Sequence, residues 1–150
     1  MIEAEVSGVS VPRFPRRDIA DFARRAIRAT ERLGAAKFRA SDVSIRLVRD
    51  AEMIRLNFAY RGKKKTTDVL TFEADDSYAD PGASGRPLGD IVISVDQAKR
   101  QSAEQRHSLA TELRYLILHG IIHAYGFDHE TDHGEMNELE LKARDRLRLV

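Results

Sequence analysis

Residues 115–129 read Tyr-Leu-Ile-Leu-His119-Gly120-Ile-Ile-His123-Ala-Tyr-Gly126-Phe-Asp128-His129. From Tyr115 to Tyr125 the segment is apolar on nearly every side, so a helix there must lie buried in the centre of a domain. It is expected to run from Ser108 to Tyr125 and to stop at Gly126. Four residues of helix place His119 and His123 one above the other, with Cβ atoms roughly 5–6 Å apart. Imidazoles at that spacing can converge on one ion at about 2.0–2.1 Å. Gly126 tolerates the left-handed turn that would send the chain back and return His129 towards the pair. Three nitrogen ligands with a fourth position open is the arrangement of catalytic zinc, not structural zinc. Burying two unpartnered imidazoles in an apolar helix would cost a few kcal/mol, which favours a metal over plain core histidines. His119, His123 and His129 are therefore the candidate ligands of one metal ion per chain, expected to be zinc, though three imidazoles also suit nickel, copper or cobalt. His107 and His133 read as ordinary core or surface residues.

Working outward, the remaining segments alternate between two periods. Ile2, Ala4 and Val6 form a weak edge-strand pattern. A helix is expected from about Asp18 to Leu33, with Ile19, Phe22, Ala26, Thr30 and Leu33 on one face and Gly34 as its stop. The arginines of that helix, Arg24, Arg25 and Arg28, fall mostly off its apolar stripe and read as its wet face. Val43, Ile45 and Leu47 alternate as a strand, after which Asp50 is placed to cap a short helix through Phe58. Val69 to Phe72 is a second strand, and Ile91, Ile93 and Val95 a third. Ala74 to Pro87, rich in Asp, Gly and Pro, reads as a mobile surface loop. Asp96 is a candidate cap for a helix to Gln105. Asp132 and Glu135 have capping-box spacing before a last helix with Met136, Leu139, Ala143 and Leu147 on one face. Without a regular βαβ alternation, the expected fold is α+β, a single domain spanning 1–150 with a small mixed sheet packed against helices around the buried metal-bearing helix.

Composition narrows the function classes. With 150 residues, 42% hydrophobic and 33% charged, the chain suits one soluble domain. A net charge of +1 gives no whole-molecule attraction to a polyanion, so a nucleic-acid argument must rest on local clustering. The absence of cysteine removes disulfides and thiolate ligands and leaves His, Asp or Glu to hold a metal. No secretion signal is visible at the N-terminus and no apolar stretch is long enough for a bilayer, so a cytoplasmic protein without membrane attachment is expected.

A local basic cluster does exist, in Tyr60-Arg61-Gly62-Lys63-Lys64-Lys65-Thr66-Thr67-Asp68. Arg61 offers a planar fork for phosphate, while Lys63, Lys64 and Lys65 add movable charge. Tyr60 is suited to stack on an unpaired base. Charge runs are also common as solvated surface loops, so Arg61, following a helix, is the more specific candidate. The histidine spacing is shared with metzincin proteases, which carry a general-base Glu directly after the first His. Gly120 stands there instead, which removes that base and disfavours a metalloprotease-like hydrolase. Asp128 and Glu130 flank the third histidine as candidates for orienting an imidazole or for catalysis.

Together these segments resemble the YbeY family of endoribonucleases. The resemblance rests on Asn57-Phe-Ala-Tyr60-Arg61 followed by Thr67-Asp68-Val69-Leu70-Thr71-Phe72, on Leu88-Gly89-Asp90-Ile91, and on His119-Gly120 through Asp128-His129, continued by Glu135, Met136 and Glu140. Two positions depart from the family pattern: Thr66, where a proline is usual, and Ala124, where a larger aliphatic residue is usual. The resemblance implies a zinc-dependent, single-strand-selective ribonuclease acting in maturation of the small-subunit rRNA 3′ end and in ribosome quality control. It also implies small ribosomal subunit proteins as partners, with no DNA substrate. It makes the three histidines the metal ligands and Arg61 the catalytic arginine. A ribosome-assembly factor with a mainly structural zinc is the competing reading.

Overall fold

In the computed structural model, which describes residues 1–34, 36–74, 85–128 and 130–149, the chain order is β1 (Glu3–Gly8), α1 (Arg16–Arg32), β2 (Ala40–Val48), α2 (Asp50–Arg61), β3 (Val69–Glu73), β4 (Arg86–Ser94), α3 (Val95–Gln105), α4 (Leu109–Ala124) and α5 (Glu135–Arg146). The strands form one sheet in the order β1-β2-β4-β3. β1, β2 and β4 are parallel, and β3 runs antiparallel to β4. This is the mixed sheet of an α+β domain, with β1 at one edge as its weak pattern suggested.

Strand alternation sorts the apolar residues onto two faces. Val43, Ile45 and Leu47 of β2 and Ile91 and Ile93 of β4 join the main core, which also takes the buried stripe of α1 and most of α4. Val48, Leu70 and Val92 point the other way and are covered by Met53 of α2. Leu113, Ile117, Leu118, Ile121 and Ile122 of α4 are fully buried. At about 1.5–3 kcal/mol for each large aliphatic side chain removed from water, they make α4 a major anchor of the fold. Gly120 lies against the sheet so closely that a Cβ there would stand 2.7 Å from Cγ2 of Ile91.

Several local expectations are corrected. Neither Asp50 nor Asp96 caps the helix expected of it: Asp96 caps α2, and Asp50 caps neither helix. Asp50 is the first residue of α2, its N–H donating to the Asp96 carboxylate at 2.9 Å, while α3 is capped by Ser94, which accepts from Gln97 N at 3.1 Å. Both carboxylates choose tertiary partners because the α2 and α3 N-termini adjoin. Val95 opens α3 instead of ending β4. Helix α2 continues past Phe58 to Arg61, placing the arginine on its last turn. Arg25 and Arg28 are exposed as expected, but Nε of Arg24 donates to the carbonyl of Ile2 at 2.7 Å and pins α1 to the start of β1. Of the surface loop expected over Ala74 to Pro87, Arg86 and Pro87 belong to β4, and 75–84 lie outside the described residues. Gly89 has φ +133°, and a Cβ there would meet the Phe72 carbonyl oxygen at 2.2 Å, so only glycine lets β3 and β4 approach. Among the described residues no helix is long and apolar enough to cross a membrane.

Candidate active site

His119 and His123 lie in the C-terminal half of α4 and are half-buried. Their rings meet edge to face with centroids 4.6 Å apart, and the two Nε2 atoms are 3.1 Å apart. Two nitrogens bound at about 2.0–2.1 Å to a tetrahedral ion would be separated by roughly 3.3 Å, so the pair is already spaced as ligands. Behind His119, Nδ1 lies 2.9 Å from Oε1 of Glu140 on α5. Glu140 is only 8% exposed. Burial pushes its carboxyl up, but the hydrogen bond from His119 and the charges of His119, Arg144 and His123 outweigh that and hold it below the ordinary glutamate range. An ionised carboxylate only accepts, so His119 Nδ1 carries a proton towards Glu140; in the neutral imidazole this leaves Nε2 with the lone pair a metal would need. This is the carboxylate–histidine support that orients metal ligands in many zinc sites.

Gly126 adopts φ +98° and its N–H donates to the His123 carbonyl at 2.9 Å, the left-handed stop expected from its sequence position. His129, the third predicted ligand, lies outside the described residues. Among the described residues there is no group of three or more side chains placed to hold an ion. These residues thus supply two nitrogen donors and the carboxylate behind one of them.

The histidine pair opens on a cleft of about 350 Å³ whose lining also includes Arg61, Thr67, Asp68, Thr71, Asp128 and Glu130. Arg61, from the opposite side of the sheet, is brought to the cleft mouth by the extra turn of α2. The segment after it is tied at its base. Buried Asn57 donates through Nδ2 to the Lys65 carbonyl at 2.9 Å, and Thr66 Oγ1 donates to Asp50 Oδ1 at 2.8 Å. Thr66 therefore fastens with a hydrogen bond the turn that a proline would stiffen. Asp50 also accepts from Ser94 Oγ at 2.9 Å and Arg100 at 2.7 Å. Burial raises its carboxyl, but these hydrogen bonds prevail and hold it below the ordinary aspartate range.

Lys63, Lys64 and Lys65 are exposed and do not line the cleft; the Lys64 ammonium sits 5.1 Å from the Phe58 ring centroid. Tyr60 is 67% exposed and contacts Phe72 edge to face, with centroids 4.9 Å apart. Asp128 accepts from Glu130 N at 2.9 Å, so part of its capacity shapes the turn. Ala124 is buried in the core, so its small side chain leaves the cleft unaltered. His107 lies 2.6 Å from the buried Glu112 carboxylate and His133 is exposed, as ordinary histidines.

Glu140, Asn57 and Asp68 were not assigned roles from sequence. Glu140 had a legible signal, since an acid on the stripe of Met136, Leu139 and Ala143 has to find a buried partner. Asp68 had none: its place on the cleft follows from β3 pairing beside α4.

An α+β domain with histidines four apart on a buried helix, a buried carboxylate behind one and an arginine facing them defines a class of proteins with a histidine–arginine cleft at a sheet edge. Residues 7–148 match the family described as Endoribonuclease YbeY. The chain belongs to that family. It is similar to the endoribonuclease YbeY of Nautilia profundicola, 44% identical over 108 residues that make up 72% of this chain and 73% of the relative. The corresponding protein of Moorella thermoacetica is 47% identical over 100 residues, 63% of this chain and 64% of the relative. That of Picosynechococcus is 47% identical over 91 residues, 59% and 56%. Two of these three matches therefore span less than two-thirds of the relative's own length. A Thermotoga maritima protein solved in solution superimposes with a TM-score of 0.58 over 99% of this chain and 92% of its own, at 22% identity, and shares the fold.

Proposed function

We propose that the chain is a zinc-dependent endoribonuclease specific for single-stranded RNA, acting in 3′-end maturation of small-subunit rRNA and in ribosome quality control in the cytoplasm. The observation that carries this reading is the facing of Arg61 and the His119–His123 pair across one cleft of about 350 Å³. Zinc, held by His119, His123 and His129, would supply polarisation of a phosphoryl oxygen and a more acidic bound water. The chain's own groups do the rest. Glu140 holds His119 in the ligating tautomer, and Arg61 neutralises charge developing on the phosphate. Lys63, Lys64 and Lys65 attract the backbone outside the cleft, where their exposure suits mobile phosphate contacts. Unpaired RNA is the fitting substrate because its backbone can bend into a cleft while its bases splay. DNA is not expected as a substrate, and small ribosomal subunit proteins are the expected partners.

An edge strand beside a histidine helix would also suit an extended peptide. The protease base has no place here, however, because the Cβ direction at Gly120 points into Ile91 and away from the cleft. The test is zinc stoichiometry together with cleavage of a single-stranded oligoribonucleotide, with and without chelator. His123→Ala should lose the metal and nearly all cleavage. Arg61→Ala should keep the metal and lose cleavage by at least about a hundredfold. Wild-type protein without stoichiometric metal would overturn the zinc assignment. Cleavage unchanged in folded His123→Ala and Arg61→Ala would overturn the nuclease and favour the assembly-factor reading.

A further inference from the structure

A second cleft, of about 580 Å³, adjoins the first, and His119 and Asp68 line both. Its far wall is a stack of planar groups. The Arg144 guanidinium lies over the Tyr115 ring at 4.5 Å from the centroid, and the His107 ring is tilted against the same tyrosine at 5.4 Å. Besides that stacking, Arg144 has few close polar partners among the described residues. Its nearest carboxylate oxygen, on Glu140, is 3.8 Å away, its Nε is buried with no acceptor among the described residues, and its side chain is 36% exposed.

Both clefts set one arginine among carboxylates, but the zinc proposed for the first would add positive charge there. Glu112 and Glu140 both border the second, each already engaged, one with His107 and Gln101 and the other with His119. Without such an ion, one guanidinium beside two carboxylates does not make a phosphate site. A flat neutral ring suits it better, since bases stack on guanidinium planes and aromatic faces. The Gln101 amide is occupied, donating to Glu112 and accepting from Gln97. Gln105, exposed at the end of α3 and lining the cleft, is placed to offer a donor and an acceptor to a ring edge.

We infer that this second cleft seats one nucleobase, that of the nucleotide next to the scissile phosphate, against the Arg144–Tyr115 wall with Gln105 at its edge. The inference rests on the nuclease reading and deepens it. While Arg61 meets the phosphate on one side of His119, the neighbouring base is gripped on the other. The bond cut is then chosen by where one unpaired base can be seated, not by the lysines.

The test compares a single-stranded oligoribonucleotide having one mapped cut with copies lacking the base immediately 5′ or immediately 3′ of it, by equilibrium anisotropy and by steady-state cleavage. With wild-type protein, one of the two abasic copies should bind roughly tenfold more weakly, with KM raised more than kcat is lowered. Arg144→Ala and Arg144→Lys should each bind intact and abasic RNA alike, because lysine keeps the charge but has no planar face. Equal binding of intact and both abasic copies by wild type would overturn the base seat. Full base sensitivity retained in a folded Arg144→Lys would do the same. Wild-type protein that neither binds nor cuts any of these RNAs would overturn the nuclease reading itself, a result distinct from cleavage without base sensitivity.

Discussion

The two walls of the histidine cleft differ in how they are held. On the α4 side, His119 is half-buried, backed by a carboxylate 8% exposed, on a helix whose next residue touches the sheet. On the α2 side, Arg61 and the three lysines after it are exposed, and only the base of their segment is fastened, through Asn57 and Thr66. Ligands to one ion tolerate little displacement, so their orientation is set by buried partners. Cations that meet a flexible phosphate backbone need charge and reach more than a fixed rotamer.

If that contrast is right, the same kind of truncation should have unequal effects on the two walls. Glu140→Ala, which leaves the His119 Nδ1 proton without its acceptor, should weaken zinc binding by about 10- to 100-fold in a competitive chelator titration. Gly120→Val should cost about 1–3 kcal/mol in denaturant unfolding, because the added carbons must displace Ile91. Zinc affinity should fall with it. Thr66→Val removes one hydrogen bond at the base of the basic segment and should cost about 1 kcal/mol or less, leaving zinc affinity unchanged. If Thr66→Val weakens zinc as much as Glu140→Ala does, the walls are not independent.

Acid should reach the α2 wall through Asp50. Its folded-state carboxyl is held below the ordinary range, so its contribution is complete above the unfolded-state value and fades as pH falls through the folded one. The stability difference between wild type and Asp50→Asn should therefore be full at neutral pH and vanish in strong acid. A difference that grows on acidification would contradict this. Smallest of all, replacing Lys63, Lys64 or Lys65 singly by alanine should leave zinc and stability unchanged. Each lost phosphate contact should flatten the salt dependence of RNA binding by somewhat less than one unit.

Much of this site was legible from residue spacing. The i, i+4 histidines, the glycine stop and the apolar helix are local consequences of helix geometry, and they placed His119 and His123 together before any tertiary contact was known. Arg61 was singled out by its neighbours. The partners of Glu140, Asn57 and Asp50 were not legible, because each is satisfied across the fold, at separations of 21, 8 and 44 residues. The corrected caps of α2 and α3 had the same cause. Asp50 and Asp96 have capping side chains, but which donor each meets depends on two helix starts lying side by side.

What local sequence dictates here is periodic: which residues share a helix face, where a strand alternates, where glycine permits a turn. Those patterns sufficed for the α+β class, the buried helix and a histidine pair side by side on it, since hydrophobic burial acts on every repeat of the period. Which carboxylate backs His119, why position 120 faces Ile91 and how Arg61 comes to face the pair were decided only when α2 and α4 packed on opposite faces of one sheet. Hydrogen bonds and ion pairs are short-ranged, and their partners exist only once the chain has closed.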